Sequence, residues 1–243
     1  SEDHDFDEIN YFNFRGKKIQ WNREDGGAVG RFDTKGLQNV LDIISAEFGE
    51  GRNADQLKSW FKEAYIKHNN LADATRYLAN ALFAEYGLVI IDADDKELKR
   101  LFIPNVQKEL LEQTSYSAVK ETNKLLKDSA YNIQVNPREI NLFYLDHNLR
   151  ERIVFEENIF KVKNTDITWT KSMLLEHLNQ RPECFSPNVI MRPLYQEVIL
   201  PNLCYIGGGG ELAYWFLQLE GLVYKLVPIE TDLGDENPYL MGR

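Results

Sequence analysis

Apolar residues recur at spacings of three and four along two stretches, first Leu57, Trp60, Phe61 and Tyr65, then Leu71, Ala74, Leu78, Leu82 and Tyr86. That repeat places one apolar stripe on a helix, so two amphipathic helices are predicted. The second should end at Gly87, a residue suited to the left-handed position after a helix. It runs at once into Leu88-Val89-Ile90-Ile91-Asp92, which is too short for a helix and is predicted as a buried strand. Asp94 stands three residues before Glu97, the spacing of an N-cap with a reaching carboxylate. The order helix, strand, helix predicts a parallel sheet.

From Asn105 to Ala130, Val106, Leu110, Val119, Leu125 and Leu126 sit among Lys and Glu, which predicts one long, partly exposed helix. Ile140–Glu156 then shows two β-rich runs about the polar turn Asp146-His147-Asn148, and Ile159–Lys163 adds a third, together a small antiparallel insertion. A helix is predicted over Lys171–Gln180. Pro193 suits the first turn of a further helix through Val198, and Pro201 prevents its continuation. Asn202 to Ile206 is predicted as a second short buried strand, followed by Gly207 to Gly210 and a helical Glu211–Glu220.

With 243 residues, 43% apolar and 12% aromatic, the chain can bury a real core, which excludes disorder for most of it. Lys plus Arg number 28 against 38 Asp plus Glu, a net charge of −10. That acidity opposes the counterion-release attraction of a phosphate backbone and argues against nucleic acid as a bulk partner. No window approaches the roughly 18 to 20 apolar residues that span a bilayer, and the acidic Ser1–Asn10 is the reverse of a signal peptide. The expectation is a soluble, cytoplasmic protein with no membrane partner. Cys184 and Cys204 lie in apolar settings and are expected to be reduced and mostly buried.

Three groups of residues carry candidate chemistry. Glu2, Asp3, His4, Asp5, Asp7 and Glu8 bring five carboxylates and an imidazole together. Such a cluster can bind a divalent metal, or can place a histidine as acid or base near neutral pH; the plain alternative is a solvated acidic tail. The glycine run Gly207–Gly210, between a strand and a helix, can bring backbone N–H groups to a phosphate, carboxylate or ribose, with Tyr214 and Trp215 flanking a ring. It is neither a Walker A loop nor a dinucleotide fingerprint, and a plain connector is the alternative. Asn136, Pro137 and Arg138, with Asn188, Arg192 and Tyr195, combine guanidinium forks with amides, equipment suited to an acidic sugar or equally to ordinary salt bridges and loop caps. His68, His147 and His177 show no metal spacing and are given no role.

The motifs EDHDFDEIN at Glu2–Asn10, GLVIIDAD at Gly87–Asp94 and CFSPNVIMRPLYQEVILPNLCYIGGGGELAYW at Cys184–Trp215, in this order, resemble the bacillithiol-biosynthesis cysteine-adding enzyme family over about residues 1 to 219. The resemblance implies a ligase that joins L-cysteine to the amino group of glucosaminyl-malate, the last step to the thiol bacillithiol. It implies an α/β fold: a Rossmann-like, mostly parallel core sheet similar to class I aminoacyl-tRNA synthetases, carrying the small antiparallel insertion and the long helix. Activation of cysteine by ATP or a related nucleotide follows from the same resemblance, and no metal is expected. Carried over by position, Asp3, His4 and Asp5 are the catalytic candidates, Asn136, Arg138, Asn188, Arg192 and Tyr195 the substrate-binding ones, and Gly207, Gly208, Gly209, Gly210, Glu211, Tyr214 and Trp215 the nucleotide-binding ones.

The expected organisation is a first part of the core at 1–103, an inserted segment at 104–180, a second part of the core at 181–220 and a divergent tail at 221–243. Three departures from the family stand out. Its members are longer, with a Gly-rich segment and strand ahead of the acidic motif and a C-terminal coiled coil that resembles a dimerisation element. The tail from Gly221 ceases to look like the family, and Gly209 stands where members carry proline. The chain is therefore expected to be a central piece, monomeric and inactive alone. A binding-only fragment with a partial pocket, or a metal-dependent hydrolase built on Glu2 to Asp7, are the alternatives.

Overall fold

The computed structural model describes residues 10–24, 26–128, 133 and 135–200. Strands β1 (Tyr11–Phe14) and β2 (Lys17–Gln20) form an antiparallel hairpin that sets Phe12 opposite Ile19. Arg15 and Gly16 between them both take positive φ, 48° and 78°, as a two-residue turn matched to strand twist demands. Helices α1 (Leu37–Phe48), α2 (Arg52–Phe61) and α3 (Leu71–Phe83) follow, with a π turn at Lys62–Ile66 continuing α2. The Asn70 side chain caps α3 by accepting from the Asp73 amide, and Gly87 closes the following turn at φ 77°. Both helices predicted from the threes-and-fours spacing are present, and so is their stop.

The strand predicted at Leu88–Asp92 is not formed. The segment is in no ladder, and Val89 is 80% exposed. An apolar run becomes a strand only when a neighbour supplies backbone partners, and its expected neighbour, Asn202–Ile206, lies outside the described residues. The strand pairings whose register is defined among the described residues are antiparallel.

Helices α4 (Lys96–Glu112) and α5 (Thr114–Asp128) replace the single long helix expected from Asn105 to Ala130. Gln113, at φ 53°, breaks the helical path between them, and α4 begins well before Asn105 with Pro104 inside it. The cap of α4 also differs from expectation. Asp95 accepts from the amides of Glu97 at 2.8 Å and Leu98 at 3.1 Å, whereas Asp94 is held by two cations and is not free to cap.

Strands β3 (Leu142–Asp146), β4 (Leu149–Glu156), β5 (Ile159–Val162), β6 (Thr168–Trp169) and β7 (Phe185–Pro187) form a sheet in the order β6-β5-β4-β3-β7. Its β3–β4–β5 part is the antiparallel insertion that the sequence predicts. Helix α6 (Lys171–Gln180) has the predicted bounds, and α7 (Arg192–Ile199) carries Pro193 in its first turn.

The chain divides into two compact units, one of residues 1–100, 143–152 and 176–186, the other of 101–142, 153–175 and 187–243. In the first, Ile19, Trp21, Val29, Phe32, Leu37, Val40 and Ile44 form the core, against which Phe14, Phe48, Phe61, Tyr65 and Leu71 pack. In the second, Val119 and Ile190 are buried with Val135 against them, and the Phe102 and Tyr195 rings meet at 5.0 Å. Among the described residues no helix is long and apolar enough to cross a membrane.

Candidate functional site

The second unit is organised around a buried carboxylate. Glu109 on α4 is fully inaccessible, yet it makes no ion pair among the described residues; neutral donors surround it instead. Its Oε2 accepts from the Ser115 amide at 2.9 Å and the Thr114 hydroxyl at 3.3 Å, and its Oε1 from the Ser115 hydroxyl at 2.5 Å and from the Asn141 amide at 2.9 Å and Nδ2 at 3.1 Å. The break at Gln113 is thereby explained: the first turn of α5 bends back so that its free N–H and hydroxyl groups reach this carboxylate.

Asn141, also fully buried, carries the network outward. Its Oδ1 accepts from the Arg138 amide at 3.1 Å while its Nδ2 donates to the Arg138 carbonyl at 2.7 Å, so both backbone polar groups of Arg138 are held by one side chain. The same Oδ1 accepts from Asn188 Nδ2 at 3.1 Å, and the Asn188 amide donates to the Asn141 carbonyl at 3.1 Å. Asn188 then accepts from the amides of Ile190 and Met191 through its side chain, and from the Arg192 amide at 2.9 Å through its carbonyl, and so starts α7.

Three of the five expected substrate-binding residues, Arg138, Asn188 and Arg192, thus belong to one scaffold. Asn136 and Arg138 are exposed, and the Arg138 guanidinium has no partner among the described residues. Arg192 is exposed and donates to Gln196 at 3.1 Å. Asn188 has both polar ends of its side chain committed internally, as cap and link. Tyr195, on α7, is 3% exposed and its ring lies tilted against that of Phe102. Asp3, His4, Asp5, Gly207, Gly208, Gly209, Gly210, Glu211, Tyr214 and Trp215 lie outside the described residues. Glu109, Ser115 and Asn141 were not singled out by sequence, although Glu109 falls on the same helical stripe as Phe102, Val106 and Leu110, where a solvated glutamate does not belong.

The first unit holds a separate charge cluster. Arg31 grips both oxygens of Asp94, at 2.5 and 2.7 Å, Lys99 reaches Oδ1 at 2.7 Å, and both cations also donate to the Glu183 carbonyl. Burial alone would push the Asp94 carboxyl up, but the Arg31 hydrogen bonds and the Lys99 charge outweigh it and hold the group down to about 2. Asp94 belongs to the GLVIIDAD motif, and its work here is structural. Arg31 and Lys99 are accordingly engaged with protein rather than set out to receive a polyphosphate.

Nearby, the Tyr144 hydroxyl lies 3.0 Å from His177 Nε2 and is bonded to buried Cys184. Burial, and then the Cys184 sulfur, raise the Tyr144 hydroxyl. Burial, and then the Arg181 charge, lower His177. A cavity of about 390 Å³ lies among side chains of β1, β2, α1, α2 and α3, together with Trp21 and with Tyr65 of the π turn. Among the described residues no group of three or more His, Cys, Asp or Glu is placed to hold a metal.

Comparison with known sequences assigns this mixed α/β chain to a family. The model of the N-terminal Rossmann-like domain of the bacillithiol-biosynthesis BshC proteins matches residues 1–230, and the chain belongs to that family. The match extends past Gly221, into the tail expected to diverge. The chain is 65% identical over 215 residues to a protein of Flavobacterium johnsoniae, 56% over 222 residues to one of Flavobacterium psychrophilum and 30% over 227 residues to one of Bacillus velezensis. All three bear the name "Putative cysteine ligase BshC". These alignments cover 88%, 91% and 88% of this chain but 40%, 41% and 42% of the relatives, so the chain spans about two fifths of their length.

Proposed function

We propose that this chain is part of an enzyme that forms the amide between the carboxyl group of L-cysteine and the amino group of glucosaminyl-malate. The observation that carries the proposal is the shared scaffold: Arg138 and the start of the Arg192 helix hang from the single side chain of Asn141. Two guanidinium forks on one rigid base suit a substrate with two carboxylates, which is what malate supplies. Asn136 is exposed and available to sugar hydroxyls, while Asn188 and Tyr195 act through the placement of α7.

On this proposal His4, flanked by Asp3 and Asp5, takes the proton that the attacking amine releases, and the flanking carboxylates stabilise its charged form. ATP or a related nucleotide, held by Gly207–Gly210, Glu211, Tyr214 and Trp215, would supply the activation of the cysteine carboxylate. The Rossmann-like core sheet is then mostly parallel and includes Asn202–Ile206, with the glycine loop at its carboxyl edge, where open α/β sheets gather ligands. The partners are small molecules.

The test uses the full-length protein. Arg138→Ala and Arg192→Ala should each raise KM for glucosaminyl-malate about tenfold or more, the loss of a charge-assisted contact. His4→Ala should lower kcat by roughly 10²- to 10⁴-fold. Unchanged KM in both arginine variants would defeat the carboxylate reading, and a wild-type rate in the histidine variant would remove His4 from the reaction.

A further inference from the structure

We infer that Glu109 and Asn141 are positioning residues for the acidic substrate, fixing the polarity of the scaffold from which Arg138 and Arg192 project; the inference rests on the proposal above that these arginines receive its carboxylates. Neither residue is exposed, so neither can touch a ligand. Their influence runs through hydrogen-bond direction.

An asparagine amide has two ends of nearly the same shape and opposite polarity. For Asn141 to hold Arg138 and Asn188 together, its oxygen must face the Arg138 N–H and Asn188 Nδ2, and its NH₂ must face the Arg138 carbonyl. Glu109 Oε1 and Ser115 Oγ, at 3.1 and 2.7 Å, are acceptors placed against that NH₂, so a flipped amide would set oxygen against oxygen. Glu109 selects one of the two orientations.

Glutamine could not make the same selection. One carboxylate oxygen of Glu109 accepts a backbone N–H from Asn141 and the other accepts a backbone N–H from Ser115. A glutamine NH₂ in either orientation would meet one of those N–H groups donor to donor. Only an acceptor at both ends fits, which accounts for a fully buried carboxylate whose partners among the described residues are neutral donors. A fold that needed only to fill this space could do so with an apolar side chain at less cost in desolvation. The hydrogen bonds of Asn141 show where the benefit appears: at the backbone of Arg138 and, through Asn188, at the turn that leads into the helix beginning with Arg192.

The experiment measures three properties of full-length protein carrying Glu109→Gln, Ser115→Ala or Arg138→Ala: thermal midpoint, steady-state kinetics with varied glucosaminyl-malate, and amide hydrogen exchange at Arg138. Malate alone, titrated by calorimetry, reports binding without turnover. Glu109→Gln should raise KM about tenfold with kcat within about twofold, weaken malate binding in parallel and speed exchange at Arg138. Ser115→Ala, which removes one of the two acceptors facing Asn141, should shift the same quantities in the same direction by about threefold.

If Arg138→Ala raises KM while folded Glu109→Gln and Ser115→Ala leave both KM and exchange at wild-type values, the positioning role is overturned and the substrate reading stands. If Arg138→Ala itself leaves KM and malate binding unchanged, the substrate reading falls and the inference falls with it. Should Glu109→Gln fail to fold, the milder Ser115→Ala decides: an unchanged KM overturns the inference, and a raised KM with a wild-type thermal midpoint supports it.

Discussion

Replacing Asp94 by asparagine should destabilise the first unit far more than the loss of one surface ion pair would. The Asp94 side chain is 15% accessible and faces Lys99, whose side chain is 3% accessible, and Arg31, at 32%. Removing the carboxylate takes the anion from a buried ammonium and a part-buried guanidinium, both of which also donate to the Glu183 carbonyl. Removing one partner of a buried pair costs about 3–5 kcal/mol, and Arg31's partial access to water favours the lower end, about 3 kcal/mol. Protonating Asp94 gives a second figure. A shift from 3.8 to about 2 is worth about 2–3 kcal/mol at 1.36 kcal/mol per unit. This is the smaller figure because a protonated carboxyl still accepts hydrogen bonds, whereas the asparagine NH₂ points donors at cations.

The pH dependence has a definite sign. The folded state holds Asp94 below its ordinary value, so its contribution is full above about 3.8 and is lost as pH falls toward about 2. Urea unfolding at pH 7 should therefore show Asp94→Asn less stable by about 3 kcal/mol, and the gap between wild type and variant should narrow by about 2 kcal/mol between pH 5 and pH 2. A variant within about 1 kcal/mol of wild type at pH 7, or a gap that stays constant down to pH 2, would show that the cluster contributes no net stability.

Two further outcomes follow from local geometry. Gly27 sits at φ 78°, and a Cβ there would lie 2.9 Å from Asn148 Cα and 3.0 Å from its carbonyl carbon, so Gly27→Ala should cost about 1–3 kcal/mol in the same assay, and an unaffected stability would show that the β3–β4 turn shifts freely. His177 is lowered by burial and by Arg181, so it should titrate below 6.5 in the folded protein, and its contribution to stability should decline as pH falls below 6.5. Ring-proton chemical shifts followed against pH measure this, and a midpoint above 6.5 would contradict the packing of His177 against Tyr144 and Phe185.

Elements whose information lies within one turn or one stripe were legible in the sequence. Leu71 to Gly87, the turn at Asp146-His147-Asn148 and Lys171–Gln180 carry their own periodicity and stops. Elements that depend on a distant partner were not. Leu88–Asp92 reads as a strand because it is apolar, but strand formation is a property of two segments. The carboxylates of Asp94 and Asp95 are adjacent, and which one caps α4 is decided by Arg31, more than sixty residues earlier in the chain. Within the candidate site, Arg138 and Arg192 were visible as charges. Glu109 was hidden among the Lys and Glu of an apparently solvated helix, and only its place on the apolar stripe marked it.

The exposed Leu88–Ile91 segment bears on how this polypeptide behaves in a test tube. Apolar and without ladder partners among the described residues, it offers the kind of template on which another chain adds a strand, and Asp92 supplies an adjoining charge. Purified by itself, the 243-residue segment should lose solubility with rising concentration through this edge rather than through any defect of its cores. A lysine at Val89, the most exposed position of the run, would act as a gatekeeper and keep the protein in solution without disturbing either unit.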